Sequence, residues 1–237
     1  GVIFVNTFIS ALLFRLGNVK KNIGYNREGR GFLLDFSPEI NYHKHYINRY
    51  AFLFNEYIGN KYVYLPELSL RYTGQKTFQF DNSHKTIALY LGGENKEFRK
   101  YPDEYAVQLL RLLNRQGYNL LLIGDENDNI KHTQYAEEAR IDHLINLTAR
   151  TTIEGFINTI ANVDLIITID SSALHIAAAV KTPFIALMGL STSPTSTILP
   201  KVPLGRILKI ENNLIREEDY IRNITPDLIL KTISELI

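Results

Sequence analysis

VDLIITIDSSALHIAAAVKTPFIALM, residues 163–188, reads as a strand from Val163 to Ile169, a helix from about Ser172 to Val180 and a second strand from Pro183 to Met188. Short β-rich apolar runs separated by a helical period are the pattern of parallel strands joined by crossover helices. In open sheets of this kind ligands sit beyond the carboxyl ends of the strands. Helix N-termini there offer unpaired N–H groups and a partial positive charge to phosphates. Asp170 falls on that edge, and Ser171, Ser172 and Ala173 open the helix. Asp and Ser are also favoured helix caps, so capping alone accounts for the same pair. His175 falls in the first turn, where a bound phosphate favours imidazolium. Beside Leu174, Ile176 and the alanines that follow, the plainer reading is a packed, hydrogen-bonded core histidine.

The alternation extends in both directions. Upstream come a buried strand at Thr86–Leu91, a helix at Pro102–Gln116 and a strand at Tyr118–Ile123. A polar helix at Asn129–Ala139, a strand at His143–Leu147 and a helix at Thr152–Ala161 follow. Downstream, Arg206–Ile210 is a last strand and Pro226 opens the closing helix. Before residue 70 the pattern is less regular, with a strand near Gly1–Val5 and helices near Ser10–Leu16 and Lys44–Tyr57. The polar stretch Ser69–Lys85 is the expected linker between two units.

The second candidate stretch is Leu91–Glu104, LGGENKEFRKYPDE, where a strand ends at Gly92 and Gly93 and a basic pair, Arg99 and Lys100, precedes a helix. The glycines permit close backbone approach to a ligand, and arginine clamps phosphate oxygens in a bidentate way. The plainer alternative is a pair of solvated loop cations.

Composition narrows the field. The 237 residues are 45% apolar and 22% charged, those of an ordinary globular chain with a real core. Lys plus Arg at 26 against Asp plus Glu at 25 leaves a net +1, so no global field attracts a nucleic acid or an anionic membrane. Any anion is held by a local site. With no cysteine there is neither a disulfide nor a thiolate ligand, which fits the cytoplasm. The most apolar stretch, Ala173–Leu190, is interrupted by His175, Lys181 and Pro183, short of the roughly 20 apolar residues of a membrane helix. The opening Gly-Val-Ile-Phe-Val reads as an interior strand, not a signal peptide, so the chain is expected to start in mid-domain.

Several tempting motifs fail. Gly124–Asn129 resembles the start of a calcium loop, but Ile130 and Ala136 occupy the turn-glycine and bidentate-carboxylate positions. His43 and His45 lack the companions of a zinc site. No phosphate loop and no G-x-G-x-x-G after a strand occurs. Asp170, Ser171 and His175 suggest a hydrolase, yet neighbours on one turn rarely form a triad, and no G-x-S-x-G elbow supports it.

Taken in order, these segments resemble glycosyltransferase family 9, the ADP-heptose:lipopolysaccharide heptosyltransferases and their relatives. Asp164–Ala179 is similar to the family's strand, Asp, Ser/Thr-Gly, His and Ala-rich helix. Leu91–Pro102 resembles its Gly-Ala-Glu loop leading to Lys-Arg-Trp-Pro, with Gly92, Gly93, Glu94, Arg99, Lys100, Tyr101 and Pro102 in register. Asn146–Thr152, Ile23–Leu34 and His45–Leu53 resemble three further family segments.

The resemblance implies an α/β protein of GT-B-like form: two Rossmann-like domains with parallel sheets, the first incomplete. Residues 1–75 would be the remainder of an acceptor-side domain and 76–237 the nucleotide-sugar domain, the final helix packing back on the first. It implies metal-independent, inverting transfer of a heptose or related sugar from an ADP-sugar to a lipid-linked lipopolysaccharide inner-core acceptor. No cofactor and no nucleic acid take part. The setting would be the cytoplasmic face of a Gram-negative inner membrane, where the protein would associate peripherally. Arg99 would neutralise the donor diphosphate, N–H groups near Ser171, Ser172 and Ala173 would cradle it, and Asp170 would bond sugar hydroxyls. Gly92, Gly93, Glu94 and His175 complete the expected donor site. The family's general-base Asp has no counterpart in this sequence and is expected upstream of Gly1. A non-catalytic sugar-nucleotide-binding protein is the alternative, with a hydrolase using Ser171 and His175 behind it. The chain departs from the family at Ser172 and Ala149, each for Gly, at Arg99 for Lys, at Tyr101 for Trp, and in a longer turn at 189–194.

Overall fold

The structure, a computed structural model, describes residues 1–62, 67–189, 199–200, 202–210 and 216–237. Contacts divide the chain into two compact units, one from Gly1 to Glu67 and the other from Leu68 onward, apart from Leu199, which belongs to the first.

The first unit runs β1 (Val2–Ile3), α1 (Phe8–Leu16), β2 (Ile23–Gly24) and α2 (Tyr46–Tyr57). β1 and β2 pair in parallel, and isolated bridges Ile23↔Phe36 and Asn26↔Glu39 continue the ribbon. The strand expected over Gly1–Val5 is cut to two residues, and β2 is too short to show any period in sequence. Thr7 starts α1 by accepting from Ser10 N. Two small apolar clusters, Ile3–Ala11–Leu33 and Ile23–Tyr25–Leu53, form the interior. At the carboxyl end of β1 the fully buried Arg30 guanidinium donates to the carbonyls of Tyr25, Val5 and Thr7 and to Ser10 Oγ and Asn6 Oδ1.

Among its described residues the second unit alternates strand and helix from β3 to β7. Its strands are β3 (Thr86–Tyr90), β4 (Asn119–Leu122), β5 (Leu144–Asn146), β6 (Leu165–Ile169), β7 (Phe184–Leu187) and β8 (Gly205–Leu208). Its helices are α3 (Asp103–Arg115), α4 (Asn129–Ala139), α5 (Ile153–Ala161), α6 (Ser172–Val180) and α7 (Pro226–Ile233). The strands form one parallel sheet in the order β5-β4-β3-β6-β7-β8. Counted within the unit this is 3-2-1-4-5-6, the dinucleotide-binding order. Every residue of β3, β4, β6 and β7 is buried, as expected of strands with helices on both faces, whereas the edge strands β5 and β8 are partly open.

Helix ends follow their side chains. Asp103 and Glu104 occupy the positive first turn of α3, and Thr152, Ser171 and Thr225 cap α5, α6 and α7. The closing helix α7 packs on α3 and β7 of its own unit, with Ile229 and Ile233 fully buried. By contacts the first unit ends at Glu67, ahead of the expected boundary at 75/76, and part of the expected linker bonds to α5 and α6. There Leu70 N donates to Ala179 O at 3.2 Å. The buried Asn158 accepts from Gly74 N at 3.0 Å and donates to Thr73 Oγ1 at 2.9 Å. These bonds tie a few of its residues to the helices, while most of the segment is exposed to solvent.

Candidate functional site

The strand order reverses between β3 and β6, and crevices of open α/β sheets form at such a reversal. Tyr90 lies opposite Thr168, so the chain leaving β3 as Leu91-Gly92-Gly93 and the chain leaving β6 as Asp170-Ser171 emerge side by side. Gly92 shows how close they come. Its φ is +81°, and a Cβ there would lie 2.7 Å from Ile169 Cδ1. The structure therefore brings together the two stretches singled out in the sequence, 78 residues apart from Gly92 to Asp170.

Asp170 sits at the strand end, partly exposed. Ser171 accepts from Ala173 N at 3.2 Å and lies 3.0 Å from Thr168 Oγ1, so its hydroxyl ends the strand and starts the helix. Capping is thus real. The N–H of Ala173, expected to cradle a phosphate, is taken up by the cap, and Ala173 itself is fully buried. Ser172 is exposed at the first helical position. His175 is exposed as well, contrary to the packed-core reading: α6 turns Leu174, Ala177 and Ala178 toward the sheet, and His175 falls off that face.

After Gly93 a 3₁₀ segment, Glu94–Arg99, carries the chain toward α3; the Glu94 side chain lies outside the described residues. The basic pair divides. Lys100 bonds Asp103 at 2.8 Å in the first turn of α3. Arg99 is half-buried and, among the described residues, no carboxylate pairs with it. Tyr101, fully buried, donates from its hydroxyl to Ile224 O at 2.8 Å and from its N–H to Leu91 O at 3.0 Å, anchoring the segment. Burial would raise the Asp103 carboxyl, but hydrogen bonds from Lys100, Tyr135 and Lys131 outweigh it and hold it at about 2.

Sequence reading missed a second layer. Lys96 bonds Asp125 at 3.1 Å and lies over the Tyr90 ring, 5.7 Å from its centroid. Asp125 follows β4, and Gly124–Asn129, read for calcium and rejected, is a capping box. Asp125 accepts from Asn127 N at 2.8 Å while the Asp128 carboxylate accepts from Asp125 N at 3.0 Å. Gly93 is a glycine because this turn presses on it. A Cβ there would lie 2.4 Å from Asn127 O, so protein backbone fills the room expected for a ligand. Beneath the turn, His132 is fully buried and its Nδ1 lies 2.8 Å from Thr148 Oγ1. Burial pushes the imidazole down to about 4, and burial pushes the Asp128 carboxyl up. The helical spacing of His132, Tyr135 and Ala139, all buried, was the signal available in the sequence.

Ala149, where the resembled family has Gly, stands at φ +60°. Of the 189–194 turn only Gly189 lies within the described residues. Among the described residues no group of three or more His, Asp or Glu comes together to hold a metal, and no helix is long and apolar enough to cross a membrane. A separate open groove of about 470 Å³ is lined by Arg71, Tyr72, Thr73, Ile153, Glu154 and Ile157 and shares no residue with the switch-point site.

Comparisons with known proteins agree on the kinship. The chain is 31% identical over 158 residues to lipooligosaccharide heptosyltransferase 2 of Haemophilus influenzae, a match covering 62% of this chain and 45% of that protein. It is 24% identical to lipooligosaccharide heptosyltransferase 2 of Haemophilus ducreyi across its whole length, spanning 76% of the relative. The chain thus covers under half of one curated relative and about three quarters of the other. The fold matches that of E. coli ADP-heptose lipopolysaccharide heptosyltransferase II with a TM-score of 0.83 at 22% identity, over 99% of this chain and 75% of that one. It also matches the family 9 glycosyltransferase of Veillonella parvula with a TM-score of 0.79 at 15% identity, over 99% and 73%. The profile of glycosyltransferase family 9 (heptosyltransferase) matches residues 2–218, and the chain belongs to that family.

Proposed function

We propose that the switch-point site of the second unit holds the nucleotide-sugar donor of a glycosyl transfer. The observation that carries this reading is the meeting of Gly92, Asp170 and the N-terminus of α6 at the strand-order reversal of a six-stranded parallel sheet, with Arg99 at the end of the segment that leaves Gly93. As the glycosidic bond to the leaving group breaks, negative charge grows on the diphosphate. A preorganised guanidinium and a helix N-terminus stabilise that charge where it appears. Arg99 supplies the first and the start of α6 the second. Asp170, at the strand end, accepts from hydroxyls of the transferred sugar. His175, exposed on the first turn of α6, reaches the same edge from outside.

The family and the named relatives favour a heptose or related sugar, an ADP-linked donor and a lipopolysaccharide inner-core acceptor, with acceptor docking at a Gram-negative cytoplasmic membrane surface. Transfer by inversion without a metal is part of the proposal. So is the absence of a cofactor, because Arg99 and the α6 terminus carry the charge stabilisation. None of the residues assigned here serves as the general base for the acceptor hydroxyl.

Calorimetric titration with ADP, UDP and GDP tests the reading. ADP binds selectively, and Arg99→Ala weakens it by about 10- to 100-fold, the range for losing a charge-assisted hydrogen bond. Asp170→Ala spares ADP and weakens an ADP-sugar. Equal losses for both ligands in the Asp170 variant would remove its assigned role, and absence of nucleotide binding would remove the site.

A further inference from the structure

The buried layer under the site contains two polar atoms without a hydrogen-bond partner among the described residues that fit each other: Asp128 Oδ1 and His132 Nε2. Both side chains are fully buried. Buried polar groups are almost always paired, so two such atoms one helical turn apart call for a common explanation. The chemistry supplies it. Asp128 uses its other oxygen to accept from Asp125 N at 3.0 Å, leaving Oδ1 as an acceptor. His132 Nδ1 lies 2.8 Å from Thr148 Oγ1. A neutral imidazole has one N–H, and the tautomer is set by what the other nitrogen meets. If the Thr148 hydroxyl donates to Nδ1, the single N–H is on Nε2, the donor that Asp128 Oδ1 lacks.

We infer that His132 is held as the Nε2–H tautomer and donates to Asp128 Oδ1 through one internal water, and that this bridge positions the Asp125–Lys96 pair at the rim of the proposed donor site. With that bridge the chain of contacts is complete. Thr148, just after β5, orients His132; the water carries His132 to Asp128; Asp128 fixes Asp125 N; and Asp125 bonds Lys96 at 3.1 Å beside Gly92. The turn has little room to rearrange, since Asn127 O already presses on Gly93. His132 and Asp128 touch no ligand. They are positioning residues, and Lys96 is the charge they position. That final step rests on the donor-site reading; the bridge does not.

The bridge is tested on the unmodified chain by long-range ¹⁵N–¹H NMR of the histidine side chains. The expected pattern for His132 is the Nε2–H tautomer, and a Nδ1–H pattern overturns the inference. Positioning is read from the acylation rate of the Lys96 amine by mass spectrometry, which needs no nucleotide. His132→Phe, which cannot donate, raises that rate by about fivefold to tenfold, the scale of couplings through such networks. His132→Gln, whose amide can both accept from Thr148 and donate to Asp128, restores most of the protection. Equal Lys96 rates in the wild type and a folded His132→Phe variant overturn the positioning role. If His132→Phe does not fold, His132→Gln and Asp128→Ala carry the same test, Asp128→Ala exposing Lys96. In parallel, ADP affinity falls by a similar factor in His132→Phe. Should the wild-type chain bind no nucleotide, the donor-site reading fails on that result alone, while the tautomer and Lys96 rates still decide the bridge.

Discussion

The two units fix the loops at the carboxyl ends of their parallel strands by opposite means. In the first, one buried guanidinium does most of it. Arg30 ties the Val5–Ser10 loop to Tyr25 through five neutral acceptors, with no carboxylate among them, and burial lowers its proton affinity. In the second, the work is spread over caps on Ser171, Thr152 and Asp125, the backbone packed against Gly93, and the Lys96–Asp125 pair. The difference follows from size. β1 and β2 are two residues each and bury little, so a single long polar side chain substitutes for core. The six-stranded sheet is rigid without one, and its polar groups are left to shape a ligand edge.

The strongest way to break this contrast is Arg30→Ala. It deletes every bond of the hub and leaves several buried carbonyls unpaired, so the first unit should lose about 3–5 kcal/mol. Hydrogen exchange separates the units. Protection should fall for amides of β1, α1 and β2 and hold for β3 to β7. A loss shared by both units, or no loss, would mean that Arg30 is not the first unit's organiser.

Acid should strain the second unit instead. Its buried His132 titrates at about 4 against an ordinary 6.5, because burial penalises imidazolium. The unfolded chain therefore binds the proton first, and stability falls as pH drops from about 6.5 toward 4, by up to roughly 3 kcal/mol. Asp128 works the other way, its raised value making its ionised form a cost that acid relieves. Asp125 acts on the ring from the turn, Tyr90 faces it from β3, Thr148 from just after β5 and Tyr135 from α4 itself; Asp103 of α3, paired with Lys100 and Lys131, bonds Tyr135. The His132 share is isolated by comparing His132→Gln with the wild type in denaturant melts at pH 7 and pH 4.5. The wild type should lose stability relative to His132→Gln on acidification, and an unchanged difference would show that His132 is not held neutral.

Gly93→Ala asks whether backbone contact is as important here as Arg30 is in the first unit. The added methyl meets Asn127 O at 2.4 Å and Asp128 Cα at 2.7 Å, so the capping-box turn must move. A loss of about 1–3 kcal/mol is expected from such overpacking, with Lys96 released from Asp125. Unchanged thermal stability would mean that the turn is free to shift.

What could be read from the sequence follows the same division. Strands of four or five apolar, β-rich residues between helical periods located β3, β4, β6 and β7 to within one or two residues, and Pro226 marked the start of α7. Two-residue strands carry no periodic signal, so β2 was invisible. Asp170 and Ser171 were legible because a strand end followed by a capped helix is a local pattern. Lys96 and Asp125 were not, because they meet only when β3 and β4 pair, 29 residues apart. The two histidines show the limit best. His175 sits among apolar neighbours and reads as core, yet it lies off the buried face. His132 sits in a helix read only as polar, yet it shares a buried face with Tyr135 and Ala139.

The smallest effect sharpens the contrast most finely, because it concerns a single dihedral angle. Ala149 lies in the turn between β5 and α5 at φ +60°, exposed, with its N–H donating to Gly124 O at 3.2 Å. An L-residue with a Cβ pays about 1–2 kcal/mol in that region, and glycine pays nothing there. Glycine loses about 0.4–1 kcal/mol back through the greater freedom of the unfolded chain. Ala149→Gly should therefore stabilise the protein by a few tenths to about 1 kcal/mol, a rise in melting temperature of roughly 1–4 °C for a chain of this size. The glycine of the resembled family then has a backbone reason that owes nothing to a ligand. Because the gain arises at one exposed residue, it should add to the loss from Gly93→Ala without coupling, provided that the Gly124 bond survives in both variants. A destabilised Ala149→Gly variant would show that this hydrogen bond already offsets the strain, and that the loops of the second unit are held by their backbone contacts alone.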